Sequence, residues 1–201
     1  FEILVVDDGS IDRTTELVLA LARGDRRIRL LWMNQNFGKG AALRAGLGAA
    51  HGRYVLTMDA DLSTDLEVLP RVLDELRGGA DVVFGDRRHP RSHLCARQPV
   101  LREWLGRAFT LLARGCIDPR VRDFTCDLKG YRRRAARSIA ARSQINGWAH
   151  DAEIAALCAV LRWNRSSVPV AWSHVAGSRV RLGRACVTSL MELLWVAFRR
   201  W

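Results

Sequence analysis

The chain has 201 residues, 49% hydrophobic and 26% charged, which is ample for a buried core and too apolar for a disordered chain. Its 32 Lys and Arg against 21 Asp and Glu leave a formal charge of +11, which draws polyanions or an anionic membrane surface but specifies no fold. Five scattered cysteines without CxxC spacing argue against a zinc site or a disulfide framework and read as a reduced, intracellular set. No run reaches the ~18 apolar residues of a membrane-spanning helix. All basic residues except Lys39 and Lys129 are Arg. Arg suits planar, bidentate phosphate recognition, although a GC-rich genome gives the same bias.

In chain order, FEILVV is a strand, and Ser10 or Asp12 caps a helix running to about Arg23. IRLLWMN is a second strand, and GKGAALRAGLGAA a helix. YVLTM, a helix from about Leu66 to Leu76, and the strand DVVFG complete the first half. Apolar strands alternating with helices predict a Rossmann-like α/β domain with a mostly parallel, doubly covered sheet. Residues 99–115 form an amphipathic helix, 123–133 a short strand, 147–161 a helix and 166–172 a strand. The apolar stretch from Ala185 to Trp201 is broken by Glu192. It is either an interfacial membrane helix with Trp and Arg at headgroup level or a terminal helix packed on the domain.

Polar clusters stand at the strand exits: DDGS (7–10), NQNFGKG (34–40), DADLS (59–63) and GDR (85–87). Ligands in parallel α/β sheets bind beyond those carboxyl ends. Asp59 and Asp61, one residue apart, are oxygen ligands suited to Mg2+ or Mn2+ beside substrate phosphates, or a plain surface turn. Asp8 offers a carboxylate to a nucleotide base, or its cluster serves only helix capping by the following Ser10 or Asp12. Gly38, Lys39 and Gly40 admit an anion at a helix start, yet the Walker A spacing is absent. Trp148 and Trp172 are either stacking platforms or core residues. His150 and His174 read as packed or exposed side chains rather than bases.

Taken in order, VVDDGSIDRT, NFGKGAALRAGLGAAHGRYVLTMDADLST, GDR and a late GSRV resemble family 2 glycosyltransferases of the GT-A fold. Within them, the sequence is similar to dolichyl- or polyprenyl-phosphate β-glucosyl- and mannosyltransferases. DFTCDLKGYRR resembles that group's D-x-x-C-G-F-K segment, and GWAHDAEI its W-x-x-D-x-E segment. The resemblance implies one domain over 1–201, with a nucleotide-sugar half at 1–90 and an acceptor half carrying membrane-interface helices at 91–201. It implies base recognition by Asp8 and metal binding by Asp59 and Asp61. Donor binding falls to Lys39, Asp59, Arg87, Ser178 and Arg179. Catalytic roles fall to Asp61, Arg87, Arg102 and Glu153, with Arg102 at the acceptor phosphate and Asp151 and Glu153 as the acidic pair.

Three departures stand out. The strand that opens the family's fold is expected to lie ahead of Phe1, Asp127 stands where the family has Gly, and Arg179 replaces Lys. The implied reaction is a metal-dependent inverting transfer of a hexose, glucose from UDP before mannose from GDP, to polyprenyl or dolichyl phosphate. It places the protein peripherally at the cytoplasmic membrane face, with no nucleic-acid partner. A lipid phosphate is already ionised, so positioning and electrostatics replace a strong base. The alternatives are a saccharide acceptor, which needs a general base, or a non-catalytic basic protein that binds membranes or nucleic acid.

Overall fold

The computed structural model describes residues 1–96, 99–175 and 182–199. Strand β1 (Ile3–Asp8) leads into helix α1 (Thr14–Gly24), then β2 (Ile28–Met33) and α2 (Lys39–Ala49). After β3 (Tyr54–Thr57), a single helical turn runs into α3 (Leu69–Arg77), followed by β4 (Val82–Asp86). The second half contains β5 (His93–Ala96), α4 (Val100–Cys116), β6 (Lys129–Arg132) and α5 (Arg133–Arg142). It closes with α6 (His150–Val160), β7 (Arg165–Pro169), β8 (Ala171–Ser173) and α7 (Leu182–Phe198).

The central sheet has the order β3-β6-β4-β7. Its β4–β7 pair is parallel, whereas β6 runs antiparallel to both β3 and β4. β1–β2 and β5–β8 form separate parallel pairs. The strands therefore form three sheets rather than one, with three of the five pairings parallel. The apolar run at 166–172 also divides: β7 stays on β4, and β8 turns at Val170 to pair with β5.

Alternation along the strands buries both faces of the central sheet. Val82 and Phe84 of β4 and Tyr131 of β6 pack with Leu47, Ile139, Ile154 and Leu193 on one side. Val83, Leu128 and Val168 pack with Val72 and Leu76 of α3 on the other. α2 lies against β1 and α5, and α5 against β3 and β6, so these two helices join the β1–β2 pair to the central sheet.

α7 packs on the domain along one face and leaves another open. Leu193 and Val196 are buried, while Val187, Met191 and Phe198 are exposed. The interrupting Glu192 has a structural use. Its carboxylate accepts hydrogen bonds from Gly147 N and Ala149 N, both at 3.1 Å, satisfying amides at the start of α6 that have no intrahelical partner.

Candidate active site

The exits of β3 and β4, the segment before β6 and the N-termini of α2 and α6 meet around one cavity of about 630 Å³. Lys39, Asp59, Asp61, Arg87 and Arg102 all line it. Its opposite wall is apolar, formed by Leu105, Phe109 and Leu112 of α4 and Leu190 of α7. The α4 residues recur at helical spacing from Arg102, so one face of this helix presents a cation followed by hydrocarbon.

α2 starts at Lys39 because the chain turns sharply at Gly38, whose φ of 103° suits glycine. Gly40 N then donates to Asn146 O at 2.8 Å, fixing the helix start against the loop before α6. Lys39 Nζ bonds Asp59 Oδ1 at 2.9 Å and also Asp127 Oδ1, and lies 5.1 Å from the Trp148 ring centroid. Burial opposes the ammonium, yet the charges of Asp127, Asp59 and Asp151 raise its pKa. Burial, then the hydrogen bond and charge of Asp127, raise the Asp59 pKa. Asp127 is also penalised by burial, but Lys39 and the hydrogen bond from Asp59 hold it below the usual carboxylate range. Asp59 and Asp127 therefore share the Lys39 ammonium. Asp61 is exposed, with Ser63 N donating to its Oδ1 at 2.9 Å.

Behind this group, Lys129 Nζ meets Asp151 Oδ1 at 2.9 Å and donates to Cys126 O at 2.5 Å. Arg87 is held bidentately by the buried Asp123, with Nε–Oδ2 at 2.8 Å and Nη2–Oδ1 at 3.0 Å. Its guanidinium carbon lies 5.3 Å from the centroid of Trp172. Burial opposes that charge as well, and Asp123 more than offsets it, so the Arg87 pKa is raised. Arg102, half-buried on the cavity wall, has no side-chain hydrogen bond or ion pair among the described residues. It is a positioned cation ready for an anion.

Two expected site residues lie elsewhere. Glu153, fully buried, accepts from Gln144 N and Ile145 N at 2.8–3.0 Å and from Arg199 Nη1 at 3.3 Å. It anchors the loop before α6 and does not line the cavity, which corrects its assignment as a catalytic group. The acidic pair is thus split, with only Asp151 on the wall. Asp8 likewise does not line the cavity; its two oxygens accept from Phe37 N and Gly38 N, each at 2.8 Å, tying the β1 exit to the start of α2. Asp12, rather than Ser10, accepts from Thr14 at the start of α1. Ser178 and Arg179 lie outside the described residues.

Two acids support the site although sequence reasoning gave them no role there, and the aromatic residues it named divide. Asp127 and Asp123, both in DFTCDLKG, carry the counter-charges for Lys39 and Arg87. The one signal for Asp127 was its departure from glycine. Trp148, 44% exposed on the cavity wall, is not a core residue, whereas Trp172 is buried. His150 is also buried, neither ring nitrogen has a hydrogen-bond partner among the described residues, and burial pushes its pKa down to about 3. A neutral, unpartnered imidazole agrees with the reading of His150 as a packed residue.

The family model described as glycosyl transferase family 2 matches residues 1–140. The chain belongs to this family. A dolichyl-phosphate beta-glucosyltransferase of Dictyostelium discoideum is 31% identical over 99% of this chain and 63% of its own length. An undecaprenyl-phosphate 4-deoxy-4-formamido-L-arabinose transferase of Pseudomonas paraeruginosa is 37% identical over 66% of this chain and 38% of its own. The chain spans about three fifths of the length of the dolichyl-phosphate glucosyltransferases it matches. Among solved structures, it is similar to glucosyl-3-phosphoglycerate synthase from Mycobacterium tuberculosis in complex with Mn2+, UDP-glucose and glycerol 3-phosphate. That likeness has a TM-score of 0.67 at 18% identity and covers 98% of this chain and 69% of the other. It bears out the GT-A fold expected from the motifs.

Proposed function

We propose that this chain carries the active site of an inverting glycosyltransferase that moves a hexose, glucose first, from a nucleoside diphosphate sugar to polyprenyl or dolichyl phosphate. The observation that carries this reading is the shared cavity. It places the two acids of DADLS, the clamped Arg87 and the unpaired Arg102 around one volume closed by an apolar wall. The relatives named for dolichyl phosphate, and the structural neighbour holding UDP-glucose, support the acceptor and donor classes.

The donor set suits a hard divalent cation. Asp59 and Asp61 both open onto the cavity, and no group of three or more His, Cys, Asp or Glu among the described residues forms a complete metal cage. Two carboxylates with the remaining positions left to substrate phosphates and water is the usual arrangement for Mg2+ and Mn2+. When bound there, such an ion supplies positive charge to the diphosphate leaving group.

Arg102 receives the acceptor phosphate and Arg87 offsets the charge between the two anionic substrates. An acceptor phosphate oxygen attacks the anomeric carbon. The new carbon–oxygen bond forms as the bond to the nucleoside diphosphate breaks, and its electron pair leaves on the diphosphate. No proton has to move, so the neutral His150 and the remote Glu153 are not needed as bases. Trp148 stands where a sugar face can stack beside Lys39.

The prenyl chain leaves along Leu105, Phe109 and Leu112. Exposed Val100, Leu101 and Trp104 of α4, with Val187, Met191 and Phe198 of α7, give the pair of helices an apolar surface suited to a membrane interface. No helix among the described residues is long and apolar enough to cross a membrane. Peripheral contact at the cytoplasmic face is part of the proposal.

Thermal denaturation with UDP and with GDP, each with and without Mn2+, tests this reading. Ligand at about 100 times its dissociation constant adds roughly 2.7 kcal/mol. A metal-dependent rise with UDP is expected, and Asp61→Ala removes it while leaving the unliganded melting temperature nearly unchanged. Absence of any nucleotide shift, or its persistence in Asp61→Ala, rejects the assignment.

A further inference from the structure

Trp148 stands 44% exposed on the wall of the cavity, with Lys39 Nζ 5.1 Å from its ring centroid. A ring so open to solvent has little packing to hold it, so its place over the cavity is set by its backbone. That backbone is gripped from a helix far along the chain. Gly147 and Ala149, the residues on either side of Trp148, donate their amides to the two oxygens of one carboxylate, Glu192 of α7, at 3.1 Å each. The approach is close. A Cβ on Gly147 would stand 2.3 Å from Oε1, so glycine leaves the room the carboxylate needs.

The contact does more than cap a helix. A capping side chain usually accepts from the second or third helical amide, whereas the two amides taken by Glu192 precede His150, the first residue of α6. They straddle Trp148. The residues just before have other anchors. Asn146 O accepts from Gly40 N at 2.8 Å and Asn146 Oδ1 from Arg44 Nη2 at 2.6 Å, while Gln144 N and Ile145 N bond Glu153. The amides at 147 and 149 are bonded to α7 instead. α7 is itself fixed at that point, since Leu193, adjacent to Glu192, and Val196 are both buried in the core. Glu192 thus ties the place of the indole to a packed stretch of another element.

We propose that Glu192 is a positioning residue for the donor sugar. By holding the backbone on both sides of Trp148 it sets the indole against the sugar face, so that recognition of the sugar, separately from the nucleotide, depends on α7. Fixing a stacking ring in advance spares its ordering when the donor binds. The inference rests on the glycosyl-transfer reading and on Trp148 as its stacking residue.

The test uses the whole chain with Mn2+ and measures by calorimetry the dissociation constants of UDP and of UDP-glucose. Their ratio isolates the sugar. Trp148→Ala should weaken UDP-glucose about fivefold more than UDP, the loss expected from one stacking contact. Glu192→Gln leaves one acceptor oxygen where the carboxylate has two, and Gly147→Ala pushes the carboxylate away from the opposite side. Each should move the ratio in the same direction, by about threefold. Adding Trp148→Ala to either should move it no further than Trp148→Ala alone, because the effect passes through the indole. A merely structural role would weaken both ligands together or add to the effect of Trp148→Ala, and either result overturns the proposal. So does an unchanged ratio in Glu192→Gln or in Gly147→Ala; because the two act at separate positions, one that folds poorly leaves the other to decide. Wild type that binds neither ligand rejects the glycosyl-transfer reading itself. Wild type that binds both, with the ratio unmoved in Trp148→Ala, leaves that reading standing and overturns this inference alone.

Discussion

Replacing Lys129 by Met removes the ammonium that faces Asp151 at 2.9 Å, in a pair whose side chains are only 2% and 9% exposed. Removing one partner of a buried ion pair costs about 3–5 kcal/mol, because the other charge stays desolvated without compensation. In a chain of this size each kcal/mol shifts the melting temperature by about 2–4 °C, so Lys129→Met should melt roughly 10 °C lower near pH 7. Adding Asp151→Asn, which keeps the shape and removes the charge, should restore at least half of that loss. The deficit also has a sign in pH. Burial already raises the Asp151 pKa in the wild type, and losing Lys129 raises it further. A carboxyl whose folded pKa lies above its unfolded value favours the fold while protonated, and that stability is lost as pH rises through the folded value. The gap between Lys129→Met and wild type should therefore widen from acid to neutral pH. Denaturation followed by tryptophan fluorescence over this range is the assay. A single variant within about 2 °C of wild type, or a double variant no more stable than the single, would refute the argument.

Two further outcomes follow from the packing around α6. His150, held down to about pKa 3 by burial, stays neutral in the fold while the unfolded imidazole protonates near 6.5. Stability should therefore fall as pH drops from about 6.5 toward 3, by up to roughly 4–5 kcal/mol from this residue. His150→Leu should flatten that part of the stability–pH curve, and an unchanged slope would dismiss the assignment. In Gly147→Ala, a Cβ would stand 2.3 Å from Glu192 Oε1 and 2.6 Å from Oε2. It should displace this cap at a cost of about 1–2 kcal/mol and speed amide exchange along α7, whereas unchanged exchange there would show that Glu192 does not hold the helix.

Local pattern alone placed β1, β2, β3 and β4, because continuous apolar runs between glycine-rich turns have few other uses in an α/β chain. It placed Asp59, Asp61, Lys39 and Arg87 at strand exits, where the topology of such sheets puts ligands. The ordered motifs then identified the family, since a set of clusters in sequence is far more specific than any one of them. α5 was not legible: RRAARSIAAR has a narrow apolar stripe of small residues, and its burial depends on α2 lying across it. β5 was missed as well, because a four-residue strand with three exposed side chains carries little hydrophobic signal and exists through its pairing with β8.

Tertiary structure alone decided which charges meet. Asp127 is 88 residues from Lys39 and Asp123 is 36 from Arg87, and no spacing rule connects groups that only folding brings within hydrogen-bond range. The same holds for Asp151 and Glu153. They stand two residues apart on one helix, where successive residues point about 100° apart, so one reaches the cavity and the other is turned to the amides behind it. The sequence by itself determined the chemical groups available and the sheet exits that carry them. The folded chain determined which were matched internally, as Glu153 and Asp8 are, and which, like Arg102, were left for a ligand. A charge desolvated without a partner is costly to keep: the buried Asp123, Lys129 and Glu153 each have an oppositely charged partner, whereas Arg102 faces open volume.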